Sequence, residues 1–434
     1  MADLQDELHS TTGLGGFGEP LPGPERRAAR FPQDTGDTVG DAAGNPSGDL
    51  AREEADGTGE RDLLERARAL LAAHPVADGH NGLPRVLRNL PWYDLELGES
   101  ALGTDLPRLR AGHVGAQFWS LHLPEPLDGD RAVGATLEQL DLVRAVVGAH
   151  PEGLRLAHDA TQLADARNCG RTAVVPGPAA ASAIDDSLGI LRSLHALGLR
   201  LLTLARTSWT GGAGEAGGTR GSSEAGDTKG AGGAGLTRFG EEVVREMNRL
   251  GVLADLSGAS DATARRCLAL SKAPVVFTRS AARALRPHPA NLPDDLLTEV
   301  GTAHGLCLVP LTAEQTGPSL RDVADHLDHV HRLAGAHCVG LSGTYDTGTG
   351  HPGGLADTSR YPYLVAELLD RGWTDTDVAL LTWGNVQRVV RCADFTARAA
   401  QQRRGPSAAR IEDLDGRDGR DGRDGRDGRD GRDR

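Results

Sequence analysis

The chain has 434 residues, with 61 Asp and Glu against 47 Lys and Arg, a formal net charge of −14. Nucleic acid and anionic membrane are polyanions, so this balance excludes them as main partners. No apolar run reaches the roughly 20 residues that span a bilayer, and five scattered cysteines without a CxxC pair argue against a disulfide framework.

Residues 1–60 are rich in Gly, Pro, Asp and Glu and are expected to be disordered, having too little apolar area to offset ordering entropy. The acidic start lacks the basic and apolar regions of a signal peptide, so a cytoplasmic location is expected. Arg61–Ala73 has Leu63, Leu64, Ala67, Leu70 and Leu71 at helical spacing. Eight strand-like runs then follow: Pro75–His80, Val114–Leu121, Thr172–Val175, Leu201–Ala205, Val252–Ser257, Pro274–Thr278, Leu306–Leu311 and Cys338–Ser342. Helical patterns separate most of them. These are Thr136–Val147, Asp185–Leu197 behind an Asp cap, Phe239–Leu250, Asp261–Ser271, Pro293–His304 and Leu320–Ala334.

Short apolar strands alternating with helices indicate a parallel sheet covered on both faces. Eight in one body predict an α/β fold, a (β/α)8 TIM barrel over residues 61–402, with a doubly wound open sheet as the alternative. The Gly-rich stretch 211–235 reads as a flexible insertion after the fourth strand. Residues 403–434, which end in a Gly-Arg-Asp repeat without proline, read as a disordered, solvated tail.

In such a barrel the working residues stand at the carboxyl ends of the strands. Those ends supply His80, Gly82, Arg206, Gly258, Arg279 and Thr344, with Asp346 just beyond. Alternation along a strand should bring His80 and position 82 to the same site. One imidazole and two guanidiniums make a poor metal centre, because zinc catalysis uses three His, Asp, Glu or Cys ligands and arginine stays protonated. Arg206 and Arg279 at one mouth would instead suit an anion such as carboxylate or phosphate. The plainer reading pairs each with a nearby acid, Asp255 or Asp346. The cluster Asp322, Asp325, His326, Asp328, His329 and His331 contains i,i+4 pairs but reads first as a solvated helix face. Gly348–Gly353 spells GxGxxG without opening a helix, and no GxSxG elbow or P-loop occurs.

Longer stretches are more specific. Asp78–Pro84 (DGHNGLP), Leu109–Ser120 (LRAGHVGAQFWS), Thr136–Asp141 (TLEQLD), Phe239–Ser257 (FGEEVVREMNRLGVLADLS) and Ala273–Arg283 (APVVFTRSAAR) resemble the membrane (renal) dipeptidase family. Its members are zinc-dependent barrel enzymes, and the likeness is to the vertebrate-type branch, extending from about Asp78 to Asp394. Zinc is therefore the cofactor that the resemblance implies.

The same resemblance implies a site largely emptied. The family opens with His-x-Asp, both zinc ligands; His80 matches and Gly82 does not. The bridging glutamate of its EGGHS run falls in Ala179–Ala183, and no Glu or Asp occurs between Asp165 and Asp185. Its substrate histidine falls at Arg206, its second-zinc histidines at Gly258 and Arg279, its carboxylate-gripping arginine at Ala290 and its proton-shuttling aspartate at Thr344. His80 alone remains of the catalytic and metal set. The expectation is a non-catalytic homologue that binds a dipeptide-like small molecule or an unidentified protein and pairs as a homodimer. The alternative is a metallo-dipeptidase with residual or altered zinc binding, drawing on Asp78, Asp255 or Asp346.

Overall fold

The computed structural model describes residues 46–90, 93–98, 102–122, 127, 129–210 and 235–416; at 46–58 and 60 it describes the backbone alone. Residues 1–45, nearly all of the Gly-rich insertion, and the repeat from 417 onward lie outside the described residues. The chain divides into Met1–Glu53 and Glu54–Arg434, and the second unit contains the barrel.

The ten strands are β1 (Val76–Asn81), β2 (Val114–Trp119), β3 (Leu154–Leu156), β4 (Thr172–Pro176), β5 (Ala179–Ala180), β6 (Leu201–Thr203), β7 (Leu253–Asp255), β8 (Val276–Phe277), β9 (Leu306–Pro310) and β10 (Val339–Ser342). All their pairings are parallel, in the order β3-β4-β2-β1-β10-β9-β8-β7-β6-β5. Only Gly177 and Pro178 separate β4 from β5, so the two ends of this ladder meet. Arg200 N donates to Pro176 O (3.0 Å), and Leu121 N donates to Pro178 O (2.9 Å). Strand 172–180 is thus one stave between β2 and β6. Each of the eight expected strands is a stave of the barrel, and β3 is a short extra strand along β4.

Alternation along the strands sorts the core into two layers. Ala77, Ala116, Phe118, Ala173, Val175, Leu201, Leu253, Val276, Leu306 and Leu308 form one cluster inside the barrel. Val76, Val114, Val174, Leu202, Ala254, Phe277, Cys307, Val309 and Leu341 face the surrounding helices in the other. The long helix Asn385–Arg403 closes the amino end of the barrel, its Val386, Val389 and Ala393 joining the inner cluster. Gly79 and Gly340 make room for Leu308: a Cβ at either would come within 2.6 Å of its methyl groups. The carboxyl end is left as the face where side chains can meet a ligand.

Several helices depart from expectation. The first helix runs Pro46–Ala73, reaching into the segment read as disordered. Its early turns hold Ala51, Glu53, Glu54, Ala55 and Glu60, helix formers that hydrophobic spacing does not register. The helix expected from Asp185 is Leu188–Leu197, capped by Ser187, whose Oγ accepts from Ile190 N. Asp185 and Asp186 instead take left-handed backbone angles in the preceding turn, as Asx residues tolerate. A helix at Tyr361–Asp370 was not anticipated from periodicity.

The body also extends past 402, because residues 404–416 pack against the helix Arg238–Leu250. Asp415, the first aspartate of the repeat, accepts from Thr237 Oγ1 (2.6 Å) and Phe239 N (3.0 Å) and caps that helix. No helix among the described residues is long and apolar enough to cross a membrane.

Candidate functional site

β1 carries His80 to the carboxyl end of the barrel. Its register against β2 shifts between Asp78 and Asn81, a bulge-like irregularity that breaks the two-residue alternation. Gly82 N donates to Tyr345 O (2.8 Å), and a Cβ built on Gly82 would overlap the Asp346 carbonyl oxygen and lie 2.8 Å from its carbon. The loop after β10 fills the space that a side chain at 82 would need.

His80 is buried, and neither ring nitrogen has a hydrogen-bond partner. Burial, then the charge of Arg279 and the neighbouring His122, drive its pKa well below the usual histidine range. The His80 and His122 rings lie 6.2 Å apart. His122, just past β2, is fixed by a 3.0 Å hydrogen bond between its Nδ1 and Ser120 Oγ. Burial, Arg279 and Arg206 push it down to about 3. Both imidazoles are therefore neutral at physiological pH. His122 belongs to the mouth but was absent from the sequence-based set.

Arg206 and Arg279 do come together, as expected from their strands. Arg279 follows β8, donates its backbone N–H to Ser257 Oγ (3.0 Å), and leaves its side-chain Nε buried without a partner. Burial lowers its pKa; Asp255 opposes the shift and Arg206 adds to it. Arg206 follows β6, is exposed, and has φ 63°. Among the described residues no ion pair of 4 Å or less joins Arg279 to Asp255 or Asp346, although the Asp255 charge acts on Arg279. Asp255 instead accepts from Thr203 Oγ1 (2.6 Å), Ser257 Oγ (2.7 Å) and Thr278 N (2.9 Å). Asp346 points toward the other side, accepting from Gly103 N (2.8 Å), with burial raising its pKa. Thr344 takes φ 52° and donates its N–H to His80 O (2.8 Å).

Asp78 is buried beside β10. It accepts from Gly343 N (2.6 Å), Gln117 Nε2 (3.0 Å) and His80 N (3.2 Å), while burial raises its pKa to about 6. These bonds tie three neighbouring staves together. Cys267 and Cys307 are pushed up to about 12 by burial, so neither supplies a thiolate.

The His/Asp cluster resolves into separate structural roles. Asp322 forms a capping box with Ser319, Asp325 and Asp328 hold Arg371, His329 reaches Asp294 (2.8 Å), and His331 lies against Trp373. His326 accepts from Ala282 N (3.1 Å) and is lowered to about 4, chiefly by burial. A histidine depressed when folded loses stability as pH falls from about 6.5 through about 4. His326→Gln, which can still accept that N–H, should flatten the pH dependence of unfolding free energy across this window by about 2–3 kcal/mol. Parallel profiles in urea titrations would contradict this assignment. Gly348–Gly353 is a loop, within which Gly353 N donates to Pro318 O.

A parallel barrel of eight staves, with its polar residues gathered at the carboxyl end, defines a (β/α)8 barrel protein. Residues 64–404 match the membrane dipeptidases, peptidase family M19, and the chain belongs to that family. Dipeptidase 3 of Mus musculus is 40% identical over 337 residues, covering 76% of this chain and 66% of that protein. Dipeptidase verJ of Clonostachys rogersoniana is 33% identical over 348 residues, covering 76% of this chain and 87% of that protein. A metallo peptidase from Rhodobacter sphaeroides, solved with a phosphinate mimic of the dipeptide L-Ala-D-Ala, shares the fold at TM-score 0.66 and 24% identity, over 74% of this chain and 99% of that one. The match spans about two thirds of the length of Dipeptidase 3.

The family is zinc-dependent, but the residues at this mouth do not fit zinc. Among the described residues, no three His, Cys, Asp or Glu side chains converge as a metal group. His80 and His122 are accompanied by Arg206 and Arg279, and a guanidinium cannot ligate.

Proposed function

We propose that this chain is a non-catalytic member of the membrane dipeptidase family, retained as a binding or interaction protein. The observation that carries the reading is the presence of Arg279 beside His80, where hydrolysis would need further metal ligands. Activating water needs a metal held by several strand ends. Here one strand end carries a guanidinium, and the backbone of the loop after β10 occupies the space beside Gly82. The barrel core does not depend on those ligands, so the scaffold can persist without the chemistry. Binding of a dipeptide-like molecule or protein, homodimer formation and a cytoplasmic location remain part of this proposal.

A panel of dipeptides incubated with the zinc-supplemented full chain tests it. The expected result is no amino-acid release above the zinc blank. Zinc-dependent turnover that is abolished by a chelator and by His80→Ala would overturn the reading in favour of an altered metallo-dipeptidase.

A further inference from the structure

We propose that a second site, at the amino end of the barrel, binds a small organic anion with an acidic head and an apolar body. It lies at the end opposite the mouth and stands whether or not the mouth holds zinc.

The site is a cavity of about 320 Å³, within the size range of small-molecule pockets. Its walls come from the end of the first helix, the helix Leu106–Ala111, and the turn leading from the helix Ala160–Asn168 into β4. Val114 and Gly115 open β2 and Thr172 opens β4, which fixes the cavity at the amino end of those staves. Hydrogen bonds hold the walls in place. Val76 N donates to His113 O (2.8 Å), Thr172 N to Gly153 O (2.9 Å) and Thr172 Oγ1 to Val114 O (2.8 Å).

One part of the lining is apolar: Leu71, Leu106, Leu109 and Val114, all buried. Another part is basic. Arg110, Arg167 and Arg171 line the cavity with His113, and among the described residues no Asp or Glu does. The contrast is with a chain of 61 acidic residues against 47 Lys and Arg. Among the described residues the Arg110 and Arg171 side chains make no hydrogen bond or ion pair. Arg167 donates to the Ala73 carbonyl, and its guanidinium lies 5.1 Å from the Trp383 ring centroid. It is thus held in place without a carboxylate partner. Arg68 adds a further positive charge near His113.

Helix ends offset only part of this charge. Arg110 and Arg167 sit in last turns, where terminal carbonyls favour cations. Each terminus amounts to roughly half a negative charge, less than the guanidiniums together. An oxyanion completes the balance, because the planar fork of arginine pairs with carboxylate or phosphate oxygens. The leucines would cover the remainder of the molecule.

The test is calorimetric titration of the full chain with phenyl phosphate in one arm and hexanoate in another. Inorganic phosphate and acetate are the controls for the head, and hexanol is the control for the body. The expected result is saturable binding of one molecule per chain in at least one organic arm. That binding should be about tenfold tighter, or more, than its head control and than hexanol. The tighter arm identifies the head group. A double variant, Arg110→Gln with Arg171→Gln, should keep the parent's Tm and weaken the binding about tenfold. No saturable binding in either organic arm would overturn the proposal. So would undiminished affinity in the folded double variant, which would place the ligand elsewhere on the barrel. A head control or hexanol that binds as tightly as the organic anion would overturn it too. If the double variant does not fold, the exposed Arg110→Gln variant decides alone, an unchanged affinity overturning the proposal.

Discussion

Replacing Glu246 by alanine is expected to lower unfolding free energy by about 3–5 kcal/mol, the cost of leaving a buried charge without its partner. Glu246 is fully buried on the helix Arg238–Leu250. Its Oε1 accepts from Arg249 Nη2 (2.7 Å) and Arg192 Nη1 (3.0 Å), and its Oε2 accepts from Arg249 Nε (2.9 Å) and Ser407 N (3.4 Å). Burial raises the carboxyl pKa, but bonds from Arg249 and Arg192 outweigh it and leave the group below the usual glutamate range.

Its contribution is therefore present at neutral pH and is lost as pH falls through the acid range. The alanine chain would strand the buried Arg249 and release the backbone of residues 404–410. Faster trypsin cleavage after Arg403 or Arg404, together with a lower urea midpoint, is the expected outcome. An unchanged midpoint would show that Arg192 and Arg249 are satisfied without the carboxylate.

Replacing Gly82 by alanine should cost about 1–3 kcal/mol, the usual penalty for overpacking. The Gly82 backbone has φ −94°, which any residue adopts, so the cost comes from the overlap with the Asp346 carbonyl. Asp346 cannot retreat freely: its carboxylate is fixed to Gly103 N, and the neighbouring Thr344 N–H is bonded to His80 O. Gly82→Asp should lose at least as much and gain no zinc, because the new carboxylate would still meet a site containing Arg279. Full stability with tight zinc in Gly82→Asp would show that the loop after β10 moves readily and that the metal site is latent.

Much of the barrel was legible because buried parallel strands are short and apolar, and the helices between them carry a clear stripe. β3 escaped because three residues, Leu154–Leu156, are too few to show alternation. The 404–416 segment escaped because its order depends on remote partners, Glu246 and the Thr237 end of a helix, which local composition does not reveal. Within the mouth, Arg206 and Arg279 could be placed from their strand ends. The close approach of the Asp346 carbonyl to Gly82 could not, because it depends on a loop remote in sequence. His122 lies three residues past Trp119, the last residue of β2, and reading that strand end as well would have found it.

The direct measurement is zinc per chain after incubation of the purified, demonstrably folded protein with excess zinc followed by removal of the unbound metal. A site with guanidiniums beside its histidine is expected to retain far less than about one tightly held ion per chain. About two tightly held ions per chain, retained by the parent and lost in His80→Ala, would contradict a non-catalytic barrel and identify the mouth as a working metal centre.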